Sequence, residues 1–217
     1  MLPVSLIIPT YNEADNIVPV LSTARDASQV IVVDGGSTDG TVDRIKEAGY
    51  EIEIIVDHTP GKGHALRRGF AVATQPYVVI ADADGSMDLR EIHNMVNLLS
   101  QGYDMVKGSR ALGQSHDFTA IRALGNWGLT RVFNVLYGTK HTDLCYGFIA
   151  MQREALRLLE PASDGFEIEA ELIARAAKRG LDVAEYASVE WPRLSGESNL
   201  SPMRDGYRVL REIMRNR

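Results

Sequence analysis

Four short apolar runs rich in valine and isoleucine, each ending in polar residues and each followed by helical spacing, constrain this chain more than any other feature. Residues 4–8, 30–33, 51–56 and 77–81 read as strands. Helices are expected over 13–25, from the Thr38-Asp39 cap to Ala48, over about 63–73 and over 89–99. Strand and helix alternating in this way predict an α/β fold, a mostly parallel sheet with helices on both faces. The carboxyl ends of parallel strands share one rim, and the polar clusters fall there: Tyr11-Asn12-Glu13, Asp34, and Asp82 with Asp84.

The last of these clusters carries the most chemistry. Asp82 and Asp84 follow a buried strand at spacing i, i+2 and precede Gly85. Two ionised carboxylates this close repel, and a hard divalent cation such as Mg²⁺ or Mn²⁺ removes the repulsion while keeping waters and binding substrate phosphate. Taken alone, the turn fits two solvated acids better, one of them capping the next helix, and it is the rest of the chain that favours the cation.

The second half is less regular. A strand over 103–106 leads into Lys107-Gly108-Ser109-Arg110 and a glycine-bearing loop through His116. Apolar residues then recur at helical spacing over 121–137, with Arg122, Asn126, Thr130 and Asn134 as a polar stripe. That pattern predicts one packed face and one face open to a polar ligand. A strand over 147–151, a helix over 168–179 and a strand over 183–191 complete the expected core. Glu167 and Glu169 diverge on a helix, so one of them faces any site. Nothing in the spacing pairs His64, His116 or His141 with an orienting carboxylate, and they are expected to be structural.

Charge and composition narrow the function. Among 217 residues, 29 acids outnumber 23 bases for a net charge of −6, which disfavours a broad nucleic-acid surface. Cys145 stands alone, so no internal disulfide forms. No targeting segment or membrane span is legible, and the expectation is a cytoplasmic protein. The chain is expected to divide into one main domain over 1–200 and an amphipathic basic helix over 201–217. In that helix Tyr207, Leu210 and Met214 share a face, with Arg204, Arg208, Arg211 and Arg215 elsewhere. It reads either as a peripheral membrane contact or as a helix docked on its own domain.

With these pieces in order, the chain resembles the family-two inverting glycosyltransferases of the GT-A fold, and within them the dolichol- or polyprenyl-phosphate sugar transferases. The resemblance rests on Ile8-Pro9-Thr10-Tyr11-Asn12-Glu13, on 33–41 (Val33-Asp34-Gly35-Gly36-Ser37 onward), on Gly61-Lys62-Gly63-His64-Ala65 and on Asp82-Ala83-Asp84. It continues in Gly108-Ser109-Arg110, Asp143 with Gly147-Phe148, and Arg193 with Gly196-Glu197-Ser198. It implies that Pro9, Tyr11, Glu13 and Asp34 hold the base and ribose of a nucleotide-diphosphate sugar, with Lys62 and Arg193 at the diphosphate. It implies that Asp84, with Asp82 assisting and Ser86 alongside, holds Mg²⁺ or Mn²⁺. Arg110, Arg122 and Arg131 are the candidates for an acceptor lipid phosphate, and Asp84 and Arg110 for catalysis.

Three positions depart from the family pattern. Gly35 replaces a second acid after Asp34, Ser86 replaces a metal-ligating glutamine, and Asn199 stands where a lysine is often found. The expected activity is hexose transfer to a polyprenyl phosphate. A soluble hydroxyl acceptor and a non-catalytic nucleotide-sugar binding module are the competing expectations.

Overall fold

The computed structural model describes residues 1–198 and 200–217, so the Asn199 departure lies outside the described residues. Strands β1 (Leu2–Thr10), β2 (Ala27–Asp34), β3 (Glu53–Val56) and β4 (Tyr77–Ile80) alternate with helices α1 (Ile17–Thr23), α2 (Thr41–Glu47) and α3 (Lys62–Val72). A 3₁₀ turn (Leu89–Glu91) and α4 (Ile92–Ser100) lead to β5 (Met105–Ser115) and α5 (Ala120–Tyr137). The chain continues through β6 (Ile149–Gln152), α6 (Arg153–Leu159), α7 (Ile168–Arg179), β7 (Val183–Glu190) and α8 (Pro202–Arg215).

The seven strands form one sheet in the order β3-β2-β1-β4-β6-β5-β7. All neighbours are parallel except β6, which runs against both β4 and β5. The central strands read as continuous apolar runs because both sheet faces are covered. Leu6, Ile8, Val32 and Val79 face one layer, while Ile7, Ile31, Val33 and Ile80 face the other, and all are fully buried. Each such side chain contributes about 1.5–3 kcal/mol relative to exposure. Among the described residues no helix is long and apolar enough to cross a membrane.

The structure differs from the sequence expectation at five places. β1 runs past Pro9 to Thr10, because β4 ends opposite Ile7 and leaves the proline with a strand neighbour on one side only. α1 starts at Ile17, since the amides of Glu13 and Ala14 are claimed by Thr41 and Asp39. β5 continues through the expected loop to Ser115, and Gly113 permits this: a Cβ there would collide with the Ser188 carbonyl of β7.

The fourth difference is the sense of α5. Its polar stripe points inward, where Asn126 accepts from the Cys145 amide (3.0 Å), Thr130 from Leu144 (3.1 Å) and Asn134 from His141 (2.9 Å). The stripe holds the 139–145 loop; Phe133 is buried with Leu129 and Leu136 packed on the core, while Ile121, Leu124, Trp127 and Val135 are left outside. The fifth is the docking face of α8: it is Val209 and Ile213 that pack on the domain, not the expected Tyr207, Leu210 and Met214, and Tyr207 and Met214 remain exposed.

Candidate active site

The ends of β1, β2 and β4 open onto a cleft of about 720 Å³, within the range of ligand sites. Its rim loops are laced together. Asn12 receives a hydrogen bond from the Thr38 amide (2.9 Å), and Ser37 Oγ accepts from the Asn12 amide (2.8 Å). Pro9, Tyr11 and Glu13 line the cleft, with the Tyr11 ring half exposed. Asp34 does not line it. The Asp34 carboxylate is fully buried and accepts from the amides of Gly36 (3.0 Å) and Ser37 (2.9 Å) and from the Ser37 hydroxyl, so it shapes the loop.

Asp82, Asp84 and Ser86 line the floor. Lys62, at the first position of α3, places its ammonium 2.5 Å from Asp82 Oδ1 and 2.6 Å from Glu169 Oε1. Burial opposes the charge on Lys62, but these two carboxylates hold its pKa above the ordinary lysine value. Burial pushes the Asp82 pKa up to about 6; Asp84 and Glu169 add to the rise, and Lys62 opposes it. Asp84 Oδ1 accepts from the Ser86 amide (3.0 Å), while its Oδ2 lies 3.8 Å from Arg193 Nη1. Among the described residues no three His, Cys, Asp or Glu side chains converge on a metal position. Two carboxylates beside an open cleft fit a Mg²⁺ or Mn²⁺ ion that takes its other ligands from phosphate and water.

Residues 191–198 form a strap over this floor. The Trp191 amide donates to the Ser86 carbonyl (2.8 Å), and the Leu194 amide donates to the Asp84 carbonyl (2.9 Å). Arg193 Nη2 donates to both oxygens of Glu13 at 2.8 Å. The expected donor residues Glu13 and Arg193 therefore meet each other, across 180 positions of sequence.

The acceptor candidates separate. Arg110 lines the cleft but is buried, with Nε and Nη2 on Asp143 (2.7 and 3.0 Å) and Nη1 on Glu190 (3.0 Å). Its guanidinium lies between the rings of Phe118 (4.0 Å) and Tyr146 (4.8 Å). Most of its fork is therefore committed within the protein. Arg122 lines the cleft and pairs with Asp117 at 2.8 Å. Arg131 does not line it: the residue sits two turns further along α5, exposed on the outer side.

Several lining residues escaped the sequence reading, including His58, Phe166, Glu190 and Arg204. Glu169 is the one of its pair that faces the cleft, and Gly147 is required beside it, since a Cβ would overlap Glu169 Oε1. His64 does have a carboxylate partner, Asp57 at 3.0 Å, but lies outside the lining.

Residues 5–159 match glycosyl transferase family 2. The chain is 36% identical to glycosyltransferase AglJ of Haloferax volcanii over 217 residues, covering 98% of this chain and 71% of AglJ. It is 27% identical to the dolichyl-phosphate hexose transferase of the same organism, covering 97% of this chain and 92% of that relative. Among solved structures, glucosyl-3-phosphoglycerate synthase from Mycobacterium tuberculosis in complex with Mn²⁺, UDP-glucose and phosphoglyceric acid superposes with a TM-score of 0.80. That match has 22% identity and covers 98% of this chain and 79% of the synthase, a likeness of fold.

Proposed function

This chain belongs to glycosyl transferase family 2 and has the GT-A architecture, and from that premise we propose that it moves a hexose from a nucleotide-diphosphate sugar to a polyprenyl phosphate. In this reading Tyr11 and Pro9 receive the base, and Glu13 accepts from a ribose hydroxyl once Arg193 turns to the diphosphate. Lys62 stands at the diphosphate as a point charge restrained by Glu169. Asp82 and Asp84, with Ser86 alongside, would hold Mg²⁺ or Mn²⁺. When bound, that ion stabilises the charge that develops on the departing nucleoside diphosphate.

Transfer is a single displacement with inversion. An acceptor phosphate oxygen forms the new bond to the anomeric carbon, and the departing diphosphate oxygen takes the pair of electrons from the broken C–O bond. A phosphate monoester arrives largely ionised, with a second pKa near 6, so no side chain must remove a proton. The observation that carries this part is the charge pairing of the lining. Glu13, Asp117, Glu169 and Glu190 each already face a cation, so these four acids of the lining are engaged before a ligand enters. Arg122, and Arg204 at the mouth, are the cations best placed for the acceptor, with Arg110 behind them as support.

The second reading keeps donor and metal and substitutes a soluble phosphorylated or hydroxyl acceptor. The phosphoglyceric acid bound in the similar synthase favours it. A donor screen separates the two: GDP-mannose and UDP-glucose with Mg²⁺ or Mn²⁺, with and without a short polyprenyl phosphate, read by mass spectrometry. Sugar transfer only in the presence of the lipid phosphate is the expected result. Transfer to a soluble phosphorylated or hydroxyl acceptor, with the lipid phosphate ignored, overturns it.

A further inference from the structure

Asn16 stands immediately before α1, where an asparagine side chain ordinarily accepts from the helix's own amides, yet here it caps nothing. The residue is 3% exposed and lies outside the cleft lining. Its side chain works through Nδ2 alone, which donates to Glu13 Oε2 and to the Ser195 carbonyl (3.0 Å). Oδ1 is buried and has no hydrogen-bond partner among the described residues. Turning the amide over would set Oδ1 against a carboxylate and a carbonyl, acceptor against acceptors, so the surroundings dictate that Asn16 serves as a donor.

These contacts close a ring. Arg193 donates from Nη2 to both Glu13 oxygens (2.8 Å) and from Nε to the Ser195 carbonyl (2.7 Å). Asn16 and Arg193 therefore hold the same two groups, one on the rim and one on the strap. They differ in what can move. Arg193 belongs to the strap and lies 3.8 Å from Asp84 Oδ2, close to the floor. Asn16 is fixed at the base of α1, with its carbonyl accepting from the Val20 amide (3.2 Å) and Ile17, Val20 and Leu21 buried behind it.

When Arg193 turns to the diphosphate, Glu13 loses its cation and Ser195 loses one of its two donors. Asn16 keeps hold of both. Glu13 Oε2 stays on the amide, and Oε1 is the oxygen released toward the cleft. The Glu13 backbone is pinned as well, its amide donating to Thr41 Oγ1 (2.9 Å). A carboxylate held at one oxygen presents the other in a fixed direction, which removes an ordering cost from ligand binding. We infer that Asn16 is a positioning residue for the donor, keeping Glu13 aimed at the ribose and the strap seated beside it while Arg193 changes partners. The inference rests on the ribose role proposed for Glu13 and assigns the residue that sustains it.

Calorimetry of UDP and GDP with Mn²⁺, and of their 2′-deoxy and 3′-deoxy analogues, tests it on the whole chain without an acceptor. The unaltered protein should prefer the ribose nucleotide by about tenfold over the analogue that lacks the hydroxyl Glu13 meets. Asn16→Ala and Asn16→Leu should each bind the ribose nucleotide about tenfold more weakly and keep less than about threefold of that preference. Neither change removes a helix cap, and leucine fills the space that alanine leaves, so folding should survive; thermal melting checks this. A merely structural Asn16 would shift melting and leave the ribose preference alone. Glu13→Gln is the reference. Loss of the preference in Glu13→Gln, with full preference in a folded Asn16 variant, overturns the inference alone. An unchanged preference in Glu13→Gln overturns the ribose reading and the inference with it.

Discussion

Two clusters in this protein have the same parts, one cation between two carboxylates, and different surroundings. Lys62 lies between Asp82 and Glu169, and Asp82 keeps 31% of its side chain exposed. Arg110 lies between Asp143 and Glu190, with no member more than 8% exposed and aromatic rings on the guanidinium. A lysine is a point charge that can follow a new anion, whereas a stacked arginine fork is held by its geometry. The first cluster can exchange a partner when a ligand enters; the second joins β5, β7 and the 139–145 loop into one body.

The largest effect that would sharpen this contrast is on stability. Arg110→Ala leaves Asp143 and Glu190 buried without a cation and should cost about 3–5 kcal/mol of unfolding free energy, read by denaturant titration. A variant that loses turnover but less than about 1 kcal/mol of stability would make Arg110 a ligand-binding group instead, and the contrast would fail. Asp84→Ala should do the opposite, lowering kcat/KM by about a hundredfold or more, some 2.7 kcal/mol, with folding nearly intact. Unchanged transfer in Mn²⁺-replete buffer would remove the metal role.

Lys62→Met should be milder, about tenfold in kcat/KM, because Arg193 still approaches the same diphosphate position. A larger loss of stability than in Arg110→Ala would reverse the ranking of the two clusters. The smallest effect is with pH. The Asp82 pKa is raised to about 6, so protons compete with the ion only as pH falls through that value. Mn²⁺ affinity by calorimetry should be flat above about pH 6 and fall by up to about tenfold per unit below it. A decline that begins only near pH 4 would show that Asp82 has an ordinary environment.

The rim of the sheet was legible in the sequence because each strand announces its end. Valine and isoleucine stop, and Tyr11, Asp34 or Asp82 begins. What each rim residue touches was not legible. Lys62 meets Glu169 across 107 positions, and no local pattern encodes that pairing. The resemblance implies a ligand role for Asp34, but the following loop folds back and occupies its carboxylate. The stripe on α5 points the other way from the expectation. Periodicity locates two faces of a helix, but here the loop beneath supplied the polar partners and turned the expected outside in. β5 was cut short because glycine reads as a break, whereas Gly113 is what lets β5 lie against β7.

The pairing of Met105 with Val183 carries a consequence for how the molecule comes into being. The first four strands pair with one another through short crossovers and can do so as soon as they are synthesised. β5 must wait for its parallel neighbour until β7 has been synthesised. Glu169 and Arg193, which restrain Lys62 and cover Asp84, also arrive late. A nascent chain therefore owns both acids of the floor well before it owns the charges that discipline them, and the floor is complete only once β7 and the strap after it have been made.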